Sequence, residues 1–177
     1  MTQYTLKLSF DIRQVTQSLA YEFVLGDQSG YPMEGGGPLA GTFNFQQGDE
    51  IFVEVLAASA DGPAGSKDVL RDFTVTNCTF VSIPAHKTEL LSLFDATSAC
   101  ASVDGWEPVN PPQSLAGNEN NLLRKCKRSV TPLPVTTKNG QWQISGYLSV
   151  VFTTTDGNTR AQLYFFDPEG SSGSGSW

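Results

Sequence analysis

Chemistry in this chain would have to begin with very few groups. One histidine, His86, and three cysteines, Cys78, Cys100 and Cys126, are its strongest nucleophiles and metal ligands. A serine or cysteine nucleophile needs a base within hydrogen-bond reach, and His86 in "IPAHKTE" is the one imidazole available. No Gly-x-Ser-x-Gly elbow accompanies it. The four residues together make a Cys3His zinc set on paper. Structural zinc sites, however, take their ligands as close pairs from one tight turn, and the nearest pair here, Cys78 and His86, is eight positions apart. They read instead as a loop histidine and reduced thiols that behave as small hydrophobes. No catalytic residue, cofactor or metal is expected. The scattered carboxylates (Asp49, Glu50, Asp61, Asp95, Asp104, Asp156, Asp167) lack EF-hand spacing. Two of them facing across a cleft would suit glycoside hydrolysis, but spacing along the chain does not give that separation.

Binding has better candidates. The stretch "GWEPVNPPQSLAGNENN" puts Trp106, Glu107, Asn118 and Asn120 on one long segment. An indole for the apolar face of a sugar and amides for its hydroxyls make a carbohydrate or small-ligand site one reading. Trp106 as a plug of the core, with the amides making turns, is the other. Gly35, Gly36 and Gly37 stand in "EGGGPLAG" without the following Lys-Ser/Thr of a phosphate loop. A surface loop, gating a ligand or simply solvated, is expected there. The run "RKCKR" gathers Arg124, Lys125, Lys127 and Arg128, four of the eleven basic residues. Phosphate or nucleic-acid binding, an import signal, and a solvated face paired with acidic groups of this chain or of another copy all fit such a run. No aromatics stand beside it to stack bases.

These groups must be positioned by strands. Alternation with a period of two marks Tyr4, Leu6, Leu8 and Phe10, then Leu19, Tyr21, Phe23 and Leu25, then Ile51, Val53 and Val55. In "FTVTNCTFVSI" the alternation is interrupted by the polar Asn77 and Thr79, which predicts a bulge. The longest pattern sets Trp142, Ile144, Leu148, Val150 and Phe152 on one face, with Gly146 marking a bend or a close backbone approach. Asp156-Gly157 then signals a hairpin turn, and "RAQLYFF" returns. Because neighbouring side chains of a strand point to opposite faces, Tyr164, Phe165 and Phe166 load both sides with rings. Two short helices are expected, over 86–96 and 118–128. The predicted architecture is all-β: a single antiparallel β-sandwich, jelly-roll or Greek-key-like, over residues 1–169, with a flexible Gly/Ser tail at 170–177.

Composition narrows the partners. With 177 residues the chain is long enough for one self-sufficient core. A net charge of −7 repels polyanions, so nucleic acid and anionic membranes are not expected partners. "MTQYTLKLSF" lacks the basic start and apolar run of an export signal. With unpaired cysteines, that favours the cytoplasm.

The last hairpin resembles that of the AidA/PixA inclusion-body protein family. The similarity rests on Phe152, Asp156, Gly157, Tyr164, Phe165, Phe166, Asp167 and Pro168, and more weakly on Gly48, Asp49 and Ile51. It implies a bacterial, cytoplasmic β-sandwich without known catalysis, of a kind sometimes accumulated as intracellular inclusions. A strand apolar on both faces needs cover on both. A homo-oligomer contact through Tyr164 and Phe166 is therefore expected, with cover from within the monomer as the alternative.

Overall fold

The computed structural model describes residues 1–25, 43–60, 68–84, 92–95, 97–110, 122–137, 140–166 and 169–172. These residues form twelve strands: β1 (Gln3–Asp11), β2 (Ala20–Leu25), β3 (Phe43–Phe45), β4 (Glu50–Ala60), β5 (Leu70–Pro84), β6 (Cys100–Ser102), β7 (Trp106–Val109), β8 (Leu122–Ser129), β9 (Leu133–Pro134), β10 (Gly140–Thr154), β11 (Thr159–Phe166) and β12 (Glu169–Ser172). They build two six-stranded sheets. The first runs β2-β1-β4-β8-β7, with β9 also on β4. The second runs β3-β12-β10-β5-β6, with β11 also on β10. Most pairs are antiparallel. The exceptions are β1 with β4 and β12 with β3.

The alternating apolar residues of both sheets meet in one core. Leu6, Leu8 and Phe10 from β1 join Phe73 and Phe80 from β5, Leu148 and Phe152 from β10, and Tyr164 and Phe166 from β11. Rings meet both across and within the sheets: Phe10 lies 4.7 Å from Tyr164 of the opposite sheet, and Phe80 5.4 Å from Phe166 of its own, centroid to centroid. The expected break in β5 is present. The β5–β10 register slips between Ser149 and Val150, where Val75 and Asn77 pair with successive residues of β10. This slip keeps Val75 and Cys78 both in the core, although they are three positions apart.

Neither expected helix forms among the described residues. Residues 122–128 lie in β8, paired with β4 from Glu54 to Ala60. A helix would gather Arg124, Lys127 and Arg128 on one face; the strand splits the charges between its two faces. Within 86–96, Ser92–Asp95 is irregular and tucks Leu93 and Phe94 into the core. Its polar groups are satisfied there, since the Ser92 and Ser82 hydroxyls lie 2.6 Å apart and Thr136 donates to the Leu93 carbonyl. The rest of that segment lies outside the described residues. At the other end, Gly170, Ser171 and Ser172, assigned by composition to the tail, pair with β10 and β3. A backbone that bonds on both sides makes a strand even where side chains contribute little.

Two turns carry the strand ends. Gly48 takes a φ of 90°, and the buried Asp49 carboxylate beside it accepts the Thr2 and Gln46 amides, each at 2.8 Å. The β10–β11 hairpin closes through Thr155, Asp156 and Gly157, with Gly157 at φ 84°. That is a turn ending in a left-handed residue, which glycine adopts without strain. The Thr154 hydroxyl donates to the Asp156 carboxylate at 2.6 Å, and the Asn158 amide adds to it. These bonds, the hydroxyl's foremost, hold the Asp156 carboxyl below its ordinary value. Its contribution to stability is therefore present above the unfolded carboxylate value of about 3.9 and lost as pH falls through the lower folded value. The stability gap between the wild type and Asp156→Ala is expected to narrow on acidification through that window, as followed by urea denaturation at each pH.

Among the described residues no helix is long and apolar enough to cross a membrane.

Candidate functional site

The basic run is divided by the strand that carries it. Alternate residues of β8 face opposite ways, so Arg128 and Cys126 sit on the outer face of the first sheet while Lys125 and Lys127 turn toward the second. Arg128 is committed to the fold. Its guanidinium stacks 4.5 Å over the Phe52 ring and reaches the Glu54 carboxylate at 3.6 Å. In register, Glu22, Lys7, Glu54, Arg128 and Glu107 stand side by side on β2, β1, β4, β8 and β7. Their charges alternate across the whole sheet. Lys7 at its centre is only 2% exposed.

The other basic residues converge elsewhere. β7 follows β8 only from Ser129 back to Cys126 and then leaves at Val109. Beyond that point the outer edge of β8 is bounded by a cleft of about 590 Å³. Arg124, Lys125 and Lys127 line it from β8, and Arg71 and Asp72 line it from β5 in the opposite sheet. Pro108 and Val109 make an apolar wall at the end of β7, and Asn110 adds an amide. Among the described lining residues, basic side chains outnumber the one carboxylate, Asp72, on a chain whose net charge is −7. Lys127 leans its ammonium 5.4 Å over the Phe73 ring, which fixes its direction. Such an arrangement can hold an anion; Asp72 and the buried Cys126 complete the described lining.

Of the predicted ligand-binding residues, Trp106 packs against the core, while Glu107, the next residue of the same strand, stands opposite Arg128. Asn118, Asn120 and Gly35–Gly37 lie outside the described residues. Tyr164 and Phe166, expected at an oligomer contact, are buried at 1% and 2% exposure. Burial pushes the Tyr164 hydroxyl up, with the Asp11 carboxylate adding to it. The outward ring of that strand is Phe165, 47% exposed, beside Leu163 at 51%.

The thiols do not assemble either. Cys78 is in the core, Cys126 packs under Leu56 on the outer face of the first sheet, and Cys100 is exposed. Burial pushes the Cys78 thiol up to about 12, so it keeps its proton. His86 lies outside the described residues. Among the described residues no three histidine, cysteine or carboxylate groups cluster as metal ligands would.

Arg71 and Asp72, far from the basic run in sequence, had no signal of their own. Only the facing of β5 and β8 across the open side of the core brings them to the cleft. Comparison with family models, with curated proteins and with solved structures gives no match.

Proposed function

We propose that this chain is a single β-sandwich, cytoplasmic and non-enzymatic, that associates with copies of itself through the outer face of its second sheet. The observation that carries this reading is the composition of that face. Tyr147 and Phe165 pair across β10 and β11, with Leu163 opposite Ser149. Tyr147 and Phe165 are each 47% exposed and Leu163 51%. Around them stand Thr74, Thr76, Thr79, Val81, Ser102, Ser145, Ser149 and Val151, all uncharged. Thr76 bonds Ser149 at 2.9 Å and Thr79 bonds Ser102 at 3.1 Å, so the hydroxyls satisfy one another across the strands.

A second copy is the occupant that the charge distribution favours. Two chains of charge −7 repel least where both present a face with an uncharged centre, Asp72 beside Thr153 standing at its end. The face also has adequate size. β5, β10, β11 and β6, of 15, 15, 8 and 3 residues, lie about 4.8 Å apart and cover roughly 600 Å² per copy. Two copies would bury about 1,200 Å², the lower bound of specific interfaces. The free edge of β11 is not part of the contact, because Phe165 already exchanges backbone bonds with Gln17 and Leu19 at 2.8 and 3.0 Å. Association is thus face to face rather than strand to strand. The likeness of the last hairpin to the AidA/PixA family, whose members sometimes accumulate as inclusions, agrees with it.

Sedimentation velocity across a wide range of concentration tests this. Concentration-dependent association that Phe165→Glu with Leu163→Glu abolishes is expected, with an unchanged far-ultraviolet spectrum because both side chains point outward. A strict monomer at every concentration would refute it. Carbohydrate binding, the competing reading, predicts instead a monomer that a glycan array labels and free sugar competes away.

A further inference from the structure

We propose that the cleft between β5 and β8 binds a small molecule carrying more than one phosphate group. This goes beyond self-association and uses a different part of the molecule. The reasoning starts from what the cations do not do. Among the described residues Arg71, Lys125 and Lys127 form no ion pair, while Arg128 of the same run pairs with Glu54 and Arg160 with Asp68 at 3.0 Å. The chain has eighteen acidic residues against eleven basic ones, so carboxylates to neutralise a basic cluster are plentiful. Asp72 is the one carboxylate among the described lining residues. Gathering like charges without counter-charges costs stability in the empty protein. A bound anion offsets that cost.

Size and lining select the class of anion. At about 590 Å³ the cleft falls among pockets for whole small molecules and is too large for one tetrahedral anion. Its cations come from two opposed strands, Arg71 on one side and Arg124, Lys125 and Lys127 on the other. That spread matches charges separated along a ligand rather than a single point. Arg71 and Arg124 supply planar forks suited to phosphate oxygens, and the lysines supply mobile point charges. Among the described lining residues, Pro108 and Val109 offer an apolar wall but no aromatic ring on which a nucleobase would stack.

Isothermal titration with inorganic tripolyphosphate at low salt, with orthophosphate alongside, is the test. Saturable binding of one tripolyphosphate per chain, with orthophosphate much weaker, is expected. Arg71→Gln and Lys125→Gln, exposed positions on opposite walls, should each weaken binding at least about tenfold, since a charge-assisted contact is worth roughly 1.5–3 kcal/mol. Arg160→Gln, outside the cleft, should leave it unchanged. Amide shifts on titration should localise to β5 and β8 in the wild type, a readout that survives even if one variant misfolds. No saturable binding would overturn the proposal. So would equal weakening by all three variants, or binding of a duplex oligonucleotide in preference to tripolyphosphate.

Discussion

Gly146→Ala is expected to destabilise the protein by about 3 kcal/mol, the upper end for overpacking a core. The residue pairs with Phe166 across β10 and β11, and both face inward. A Cβ at position 146 would clash with the tip of the Phe166 ring, its Cζ and both Cε atoms. The ring cannot yield cheaply. It is 2% exposed and meets Phe80 edge-on at 5.4 Å, and Tyr21 lies 6.4 Å away on the opposite sheet. The glycine is therefore the socket for the aromatic ring, and the two positions form one packing unit. Phe166→Ala alone should cost about 3–5 kcal/mol by leaving that socket empty. In the double variant Gly146→Ala, Phe166→Ala, the new methyl enters vacant space. Its cost should be clearly less than the sum of the singles. Additivity within about 0.5 kcal/mol in urea denaturation would show that the ring and the glycine do not compete for the same volume.

That pair also shows what the sequence could reveal. A glycine within a strand pattern signals a bend or a close approach, and the close approach is found. The partner was hidden because pairing joins residues twenty positions apart, and only the β10–β11 register identifies Phe166. The same limit explains the three-aromatic strand. Alternation shows that Tyr164 and Phe166 share one face and Phe165 takes the other. It does not say which face is inside. The expectation placed the buried pair at the surface, and the fold exposes the middle ring. Inward alternation was legible for β1, β2, β4 and β10 because one face of each is nearly all apolar. β8 was not legible as a strand: "LLRKCKR" has no apolar face, and its place is set by pairing with β4. The helix expected there would have put the basic residues together. The strand divides them between a charge ladder and a cleft, and the cleft's opposite wall, Arg71 and Asp72, was beyond any local reading.

The ladder leads to the second large effect. Glu54→Gln is expected to cost about 3 kcal/mol, although the replacement preserves shape and changes one charge. Glu54 stands between Lys7 and Arg128 in register, with its side chain 13% exposed and Lys7 2% exposed. Placing a lysine in so dry a position is tolerable only with negative charge beside it. Removing one partner of a buried pair typically costs about 3–5 kcal/mol, because the remaining ion stays desolvated. Arg128 is partly solvated and also rests on Phe52, which puts the figure at the lower end. Glu107→Gln, at the exposed end of the same row, should cost less than about 0.5 kcal/mol. Adding Lys7→Met to Glu54→Gln should recover part of the loss, since exchanging both members of a buried charged pair for uncharged ones is often nearly neutral. The Glu54→Gln loss should persist at high salt, where exposed pairs are screened and buried ones much less so. If Lys7→Met deepened the loss, the lysine would be contributing through groups other than Glu54, and the alternating row would be a coincidence of register.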